Sequence, residues 1–465
     1  MRWLFRLGAA LTLGLAAAAL ARLPFANGPT EWEWPWRPPE AAGWRLAAAA
    51  ALALALVAVA WAGAAGRIRA RAALALLVPL GWLFTMALAV ATPAGFGRLA
   101  ASLASRHSFG YVWDAALAPP SGELLADYPR ASRRLEQHAR THPPGAILAV
   151  RGVDAVGRRL ERLAGAGERG LLATAERALA RERQRAVDRR RPAPVRLPSP
   201  WTVVLLAGLL PALSAAAALP LHALALRLGL APGAALGAAA LWTLVPARSL
   251  FTPSLDQALP LLLVGAAALA AGEGWAGKLA AGTLLGLAGL TSYGALAVAP
   301  LVAAAAWWSG DGRRAVLPLA AGFAVPWTAL TLLAGYDPWI SFAAAMEAHR
   351  AIAVAPRGYL TWLLWNPYDF ALLLGPAVAL PALGALAVRG PLRAIAALFW
   401  ATLALLLVSG GVRGEVGRIW LPFMPWACLL AAAVLTRDEA PAGRSVFALQ
   451  ALLACVLAAT MVFVE

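Results

Sequence analysis

Long uninterrupted apolar runs are the feature that most constrains how this chain can fold. Runs of about 18 or more apolar residues, such as residues 46–63, are long enough to cross a bilayer as helices. Hydrophobic residues make up 61% of the 465 residues and charged residues only 14%, which is little charge for a soluble protein. Inside lipid, each backbone N–H and C=O must be bonded, which favours helices. The sequence therefore predicts an all-α, polytopic membrane protein.

About thirteen transmembrane helices are predicted, and several of them are short. Three precede a long polar region at residues 94–200, and the others follow it, with residues 278–308 split into two spans at Ser292. Residues 336–369 are interpreted as a polar, aromatic loop. The whole chain, 1–465, is treated as a single transmembrane domain, and residues 94–200 are expected to form a juxtamembrane region with short amphipathic helices.

The distribution of basic residues in the short loops predicts the orientation. With the N-terminus inside, the inner loops carry more Arg and Lys than the outer ones, as the positive-inside rule requires. The first span is interpreted as uncleaved, although Ala-Leu-Ala before Arg22 resembles a signal-peptide cleavage site. Residues 94–200 then lie outside, where long loops are exempt from the rule. We expect a protein of the bacterial cytoplasmic membrane whose active face is extracytoplasmic.

The net charge of +17 indicates an anionic partner. For a membrane protein this partner is the lipid bilayer with its anionic head groups, and no nucleic-acid partner is expected. Cys428 and Cys455 fall in separate apolar runs, so neither a disulfide nor a metal site is predicted from them. A divalent cation as cofactor stays open, because no sequence pattern indicates one.

Unusual polar residues gather in the loops that are assigned to the outer side. Glu31 and Glu33 alternate with tryptophans directly after the first span, which fits solvated acids in an interfacial Trp belt or carboxylates available for base catalysis. Asp114 lies among aromatic residues on a predicted short helix, and His142 begins a His-Pro-Pro-Gly turn. These four side chains are the candidate catalytic residues.

A second group of outer-loop residues suits an anionic substrate. Arg413 and Arg418 flank Glu415 at the mouth of a predicted span, where two guanidinium groups could bind a phosphate or pyrophosphate. The alternative is a purely structural cluster of ion pairs. The predicted substrate-binding residues are Asp256, Tyr293, His349, Arg350, Arg357, Asn366, Arg413, Glu415 and Arg418.

The order of these motifs resembles the GT-C superfamily of integral membrane glycosyltransferases, in the branch of the protein O-mannosyltransferases and aminoarabinose transferases. Asp114 matches the acidic residue of an outer loop, and His142 with Pro143 and Pro144 matches the His-Pro-Pro turn that follows it. The segments LFTPSLDQAL, with Asp256, and GEVGRIWLPFMPW, with Arg418, resemble later outer turns of such enzymes. The resemblance implies hexosyl or pentosyl transfer from a polyprenyl-phosphate sugar donor to an acceptor at the extracytoplasmic face.

The implied reaction is an inverting transfer in which a carboxylate removes the proton of the acceptor hydroxyl. Asp114 is the first choice for this base, with Glu31 and Glu33 as rivals, and His142 would orient the loop or the acceptor. Arginines would stabilise the departing lipid phosphate. Three alternatives stay open: a ligase or polymerase of surface polysaccharides, a lipid or solute transporter with polar groups at mid-membrane, and an inactive relative that acts as a scaffold.

Overall fold

A computed structural model describes residues 2–24, 34–37, 43–164, 170–308, 312–435 and 445–462. Over these residues the protein is all-helical, with 81% helix and no strands, and an isolated β-bridge links Trp36 to Met461. The predicted all-α class is therefore confirmed. Glu31 and Glu33, two of the predicted catalytic residues, lie outside the described residues.

The N-terminal apolar helices lead directly into the polar region, which is itself helical. In chain order the helices are α1 (Arg2–Leu20), α2 (Gly43–Ala64), α3 (Ala70–Ala89), α4 (Phe96–Ala104), α5 (Tyr111–Leu117), α6 (Ser121–Ala126), α7 (Tyr128–Ser132), α8 (Gln137–Thr141), α9 (Gly145–Ala164) and α10 (Gly170–Asp188). The two longer ones are amphipathic, since α9 buries Ile147 and Val150, α10 buries Leu179, and both expose arginines.

The remaining helices form most of the apolar scaffold. They are α11 (Pro200–Ala216), α12 (Ala218–Arg227), α13 (Pro232–Thr243), α14 (Pro246–Leu250), α15 (Leu259–Ala270), α16 (Trp275–Thr291), α17 (Ala299–Ala306), α18 (Val316–Ala334), α19 (Pro338–His349), α20 (Tyr359–Leu374), α21 (Pro376–Gly384), α22 (Pro391–Ser409), α23 (Val416–Ile419), α24 (Met424–Leu435) and α25 (Ser445–Thr460). Proline often stands in the first turn, where its missing N–H leaves no bond unmade. Gly335 and Gly410 end α18 and α22 in the left-handed conformation that favours glycine.

Six helical segments among the described residues are long and apolar enough to cross a membrane. They are α1, α2, α3, α11 with α12, α18 with the turn before it, and α22. A seventh is possible if α20 and α21, which are bent by 106° at their junction, form one broken span. The predicted count of thirteen is not confirmed, because α15, α24 and α25 are shorter than the roughly 20 residues that a crossing needs.

Two predictions about the chain between the spans have opposite outcomes. The predicted break at Ser292 is present, because α16 ends at Thr291 and a 3₁₀ turn separates it from α17. By contrast, much of the predicted loop 336–369 is helical, in α19 and the first part of α20. Asp337 caps α19 by accepting the N–H groups of Trp339 and Ile340 at 2.9 Å each. These are N–H groups of the first helical turn, which have no partner within the helix, and the interpretation of this segment as a loop did not take such a cap into account.

Two apolar cores hold the helices together. The larger one packs α1 to α3, α12 to α17 and α20 to α25. The smaller one lies under the polar region and joins α4 to α10 with α11, Leu290 and Tyr336. Residues 94–200 are therefore packed onto the scaffold, and their polar side chains can contribute to a site at the junction.

Helices α16 and α18 approach each other through glycines. A Cβ atom on Gly282 would lie 2.0 Å from the Leu319 carbonyl oxygen, and one on Gly322 would lie 2.0 Å from the Leu279 carbonyl oxygen. Both obstacles are backbone atoms, so the helices themselves would have to move apart. Small residues at such crossings are typical of helices packed in membranes.

We predict that Gly322→Ala destabilises the protein by about 1–3 kcal/mol, the usual cost of overpacking. The measurement is the thermal unfolding midpoint of the purified protein in detergent. Gly208→Ala in α11 is the matched control, because nothing lies within 4 Å of the position of its Cβ atom. Equal midpoints for the two variants would contradict the close packing of α16 and α18.

Candidate functional site

A cavity of about 440 Å³ lies where the polar region meets the loops that follow α14, α16 and α22, with α19 at its side. These segments are far apart in sequence, yet the charge distribution of the sequence assigned all their loops to one side of the membrane. The predicted site residues that line the cavity are His142, Asp256, Tyr293, His349, Arg357, Glu415 and Arg418. The cavity is therefore the candidate site.

A chain of ion pairs crosses one wall of the cavity. Arg418 donates through Nη2 to Glu415 Oε2 at 2.6 Å, and its Nε lies 3.5 Å from Asp256 Oδ2. Arg357 Nη2 reaches the other oxygen of Glu415, Oε1, at 2.9 Å. Two carboxylates and two guanidinium groups thus alternate, which holds both arginines in fixed geometry and leaves the chain with no net charge.

The electrostatics of this chain favour the ionised forms of Glu415 and Arg418. Burial raises the pKa of Glu415, but the Arg418 and Arg357 charges outweigh burial and hold the pKa below its ordinary value. Burial likewise disfavours charged Arg418, but Glu415 and Asp256 raise its pKa above the ordinary value. Glu415 and Arg418 are therefore charged at neutral pH, and in this partly buried setting they can interact strongly with a charged ligand.

Asp256 is positioned by the turn that precedes α15. Ser254 donates its hydroxyl to Asp256 Oδ2 at 2.9 Å and accepts the Asp256 N–H at 3.2 Å. Ser254 and Gln257 form a reciprocal capping box, in which the Gln257 amide oxygen accepts the Ser254 N–H. The amide nitrogen of Gln257 in turn donates to the Arg248 carbonyl at 2.8 Å. Buried hydrogen bonds therefore fix the Asp256 carboxylate toward Arg418.

The loop that carries Glu415 is tied to the segment after α19. Arg357 donates to the Arg413 carbonyl, and Arg413 donates back to the Arg357 carbonyl and, at 3.0 Å, to the Val354 carbonyl. Asn366 holds the same loop by donating to Val412 O at 2.8 Å and accepting the Gly414 N–H at 3.0 Å. Arg413 and Asn366 therefore act on the loop, and neither lines the cavity.

Glu415 adopts a backbone conformation that non-glycine residues rarely occupy. Its φ is +57°, in the left-handed region, which costs on the order of 1–2 kcal/mol for a residue with a Cβ atom. Such strain persists only where surrounding contacts impose it, and it is concentrated at functional sites. At this position the bonds to Arg357 and Arg418 impose it.

Two imidazoles enter the cavity from the polar region on α8 and the residue after it. His142 Nδ1 lies 2.8 Å from the His138 carbonyl oxygen, so Nδ1 carries the proton and Nε2 is left as an acceptor. Burial lowers the pKa of His142, partly offset by Asp256. Burial and the Arg418 charge lower the pKa of His138 to about 3. Both histidines are therefore neutral at physiological pH.

Helix α8 is only five residues long and is held at both ends by side chains from elsewhere. At its start Asp114 Oδ1 accepts the Glu136 N–H at 3.0 Å. At its end the Tyr128 hydroxyl lies 3.0 Å from the Ala139 carbonyl oxygen and 2.8 Å from that of His142. The location of both imidazoles thus depends on groups buried behind the cavity.

The remaining cavity residues close its other sides. His349 Nε2 lies 2.7 Å from the Gly411 carbonyl oxygen. The Tyr293 hydroxyl lies 3.2 Å from that of Tyr336, and its ring meets Phe342 edge to face with 5.1 Å between centroids. A single π-helical turn, Arg350–Val354, follows α19 beside them. Such turns often occur at functional sites.

Several predicted site residues do not reach the cavity. Asp114 is fully buried behind α8 and does not line the cavity, and Arg350 is exposed outside it. Arg413 and Asn366 brace the Glu415 loop, as described above. The assignment of Asp114 as base stays a prediction from its motif, and in this structure its carboxylate lies outside the cavity.

Some contributors to the site are not among the predicted site residues. His138, Tyr111 and Ser254 line the cavity, and Tyr128 positions α8 from behind it. The spacing of His138 and His142, four residues apart at the end of a short helix, was a usable signal. Ser254 and Gln257 also carry the sequence signature of a capping box. Nothing in the sequence marks Tyr128.

The site shows no donor set for a metal. Among the described residues, no group of three or more His, Cys, Asp or Glu side chains could hold a metal ion. Comparison of the chain with protein-family models, with curated proteins and with solved structures gave no match. The interpretation of the cavity therefore depends on its own geometry and chemistry.

We predict that Asp114→Asn changes how stability depends on pH. Burial raises the pKa of Asp114 from 3.8 to about 7, with Arg106 opposing the shift, so the folded state holds the proton more tightly than the unfolded state. The stability that protonated Asp114 contributes is complete at low pH and is lost as pH rises from about 4 to about 7. The unfolding midpoint of the wild type, relative to Asp114→Asn, should fall over that range and stay level above it. A difference that is constant from pH 4 to pH 8 would contradict this assignment.

Proposed function

We propose that the protein is a membrane glycosyltransferase that moves a sugar from a polyprenyl-phosphate donor to an acceptor hydroxyl at the extracytoplasmic face. The observation that carries the proposal is the cavity in which Arg418, Arg357 and neutral His142 lie together with two carboxylates. Anion binding and proton removal are the two tasks of such a transfer, and both kinds of group face one enclosed space. The motif resemblance to GT-C enzymes supports the same conclusion.

Arg418 and Arg357 are the proposed binding groups for the phosphate of the donor. Guanidinium groups bind phosphate oxygens through paired N–H donors, and a site that excludes water strengthens the interaction. The bonds to Glu415 hold both guanidinium groups in place before the donor arrives. Preorganised charge of this kind would stabilise the lipid phosphate as it departs from the sugar.

His142 is the proposed general base, with Asp256 as the rival. Its Nδ1–H is occupied by the His138 carbonyl, its lowered pKa keeps it neutral, and its free Nε2 can accept a proton. Proton transfer from the acceptor hydroxyl to Nε2 would accompany attack of that oxygen on the anomeric carbon. The bond from the anomeric carbon to the phosphate oxygen would break as the new glycosidic bond forms.

The apolar part of the cavity favours a lipid-linked donor over a free one. Phe342, Met346, Ile352 and Leu406 line the cavity on the side of α19 and α22. Trp339, Leu360 and Leu405 lie exposed on α19, α20 and α22, as expected for surfaces in contact with acyl chains. A polyprenyl chain could therefore lie along this side while its phosphate reaches Arg357.

The proposed function includes the number of membrane crossings and the side of the membrane on which the cavity lies. About thirteen crossings, with the cavity at the outer surface of a bacterial cytoplasmic membrane, would place the loops after α14, α16 and α22 together with residues 94–200 outside. Shorter apolar helices such as α15 and α25 would then cross a locally thin or deformed bilayer.

The experiment that tests the function uses the full chain in lipid nanodiscs with radiolabelled polyprenyl-phosphate hexoses and pentoses. We expect release of polyprenyl phosphate and transfer of label to an acceptor or to water. Extension of a glycan chain by many units would favour a polymerase instead. Neither binding nor turnover with any donor of the panel would contradict the proposal.

We predict that His142→Gln lowers kcat by about 10²–10⁴-fold, the usual contribution of a general base.

Arg418→Lys should weaken donor binding by roughly 10–100-fold, because it loses the guanidinium fork while keeping the charge. Arg350→Ala is the matched control, since that arginine is exposed and does not line the cavity. Normal kinetics in His142→Gln would move the base to Asp256, whereas equal losses in Arg350→Ala and Arg418→Lys would show that the cavity is not the site.

A second candidate function, solute or lipid transport, is favoured by one specific feature. Asp369 is fully buried on α20, and neither of its carboxylate oxygens has a hydrogen-bond partner among the described residues. The same helix bends by 106° into α21, and broken helices with ionisable groups are typical of transporters. Uptake of a labelled lipid or solute into proteoliposomes, lost in Asp369→Asn, would support transport and replace the enzyme proposal.

A further inference from the structure

The strongest unassigned feature is the buried contact behind α8. Asp114 is enclosed on α5 and accepts the Glu136 N–H at 3.0 Å, while its second oxygen, Oδ2, is buried without a hydrogen-bond partner. Glu136 is the residue directly before α8, the helix that carries His138 and leads into His142. This carboxylate therefore bonds the segment that determines where both imidazoles enter the cavity.

Glu136, the hydrogen-bond partner of Asp114, is itself held by Arg106. The Glu136 carboxylate pairs with Arg106, whose Nε donates to it at 2.6 Å. Arg106 also donates to the Pro192 carbonyl at 2.7 Å and lies over the Trp113 ring with 5.5 Å to the centroid. The start of α8 is thus bonded to α5, to the loop before α5 and to the segment after α10.

We infer that Asp114 is a positioning residue, whose carboxylate fixes the segment 136–142 and through it the His138 and His142 imidazoles in the cavity. The consequence for a base at His142 rests on the proposed function, whereas the positioning of segment 136–142 by Asp114 does not. It gives Asp114 a role that differs from the base that its sequence motif predicts. The Tyr128 hydroxyl would hold the opposite end of α8, through the carbonyl of His142.

The ionisation of Asp114 is set by groups from every element around it. Glu136 precedes α8, Arg106 precedes α5, and the phenols of Tyr111 and Tyr128 lie on α5 and α7 close enough for the Asp114 charge to raise their pKa values. From α9, Arg151 bonds the carbonyls of Ala115, Ala118 and Pro119 at the far end of α5. Burial is the largest cause and raises the pKa of Asp114 to about 7.

A change of charge on Asp114 would therefore alter how strongly Asp114 holds the start of α8. An ionised carboxylate accepts an N–H bond more strongly than a neutral carboxyl group does. Burial is the larger cause and favours the neutral form, so the segment 136–142, which covers Asp114, should be held less tightly at pH 7 and above than at about pH 4.

The test is hydrogen–deuterium exchange of peptides that cover 136–142, measured by mass spectrometry on the full chain in nanodiscs and corrected for intrinsic exchange rates. Asp114→Ala should speed exchange of this segment by about tenfold or more, as expected for the loss of a charge-assisted bond. In the wild type, protection should drop as pH rises from about 4 to about 7 and stay level above that. Asp114→Asn keeps an acceptor oxygen but cannot ionise, so its protection should show no such step.

Asp127→Ala is the control, because Asp127 is an exposed acid on the same stretch of chain. It should leave exchange at 136–142 unchanged. Wild-type exchange in Asp114→Ala, or a pH step that survives in Asp114→Asn, would overturn the inference. If Asp114→Ala does not yield folded protein, the pH comparison between the wild type and Asp114→Asn decides alone. No substrate is needed, so failure here and failure of the transferase assay are distinguishable.

Discussion

The position of Arg418 between two carboxylates is the interaction on which the candidate site depends. An enclosed guanidinium without partners would lose its hydration at a cost of several kcal/mol, and each carboxylate alone would face the same penalty. Asp256 and Glu415 come from turns separated by most of the scaffold, so pairing them through Arg418 fixes the relative position of α15 and α23. Arg357 extends the pairing to the segment after α19. The cavity wall is therefore defined by charge balance as much as by apolar packing.

The opposite wall is built on a different principle. Helix α8 is too short to be stable alone, because the conformational entropy lost in nucleating a helix outweighs the hydrogen bonds that five residues can form. Its ends are instead satisfied by Tyr128, which belongs to the smaller apolar core under the polar region, and by Asp114 on α5, whose Tyr111 and Val112 belong to the same core. Because that core packs on α11, the imidazoles are placed relative to the scaffold through apolar contacts. Ion pairs fix one wall and buried hydrogen bonds fix the other, and the two walls face each other across the cavity.

The sequence predicted the class of the fold better than its details. Apolar runs reveal helices and a break such as that at Ser292, because composition and Gly or Ser punctuation act locally. They do not distinguish membrane-crossing helices from shorter buried ones, because both are equally apolar. For that reason the predicted count of thirteen spans is not confirmed by the structure. At the site, seven of the predicted site residues line one cavity, but position within a motif could not show that Asp114 is buried behind α8 while His142 lines the cavity. That difference arises from packing against Tyr128 and α9, which no linear pattern encodes.

The charge balance of the cavity has a consequence for catalysis on the proposed function. Without a ligand, burial lowers the pKa of His142 and keeps the imidazole neutral; Asp256 opposes this effect, and the Arg418 charge adds to it. A phosphate bound at Arg418 and Arg357 would add negative charge beside this imidazole and so raise its proton affinity. The base would then become stronger only when the donor is in place, and a proton taken from the acceptor would be stabilised by the phosphate that is about to depart. An enclosed, neutral cavity is the arrangement in which such coupling is largest, because little solvent screens the two groups from each other.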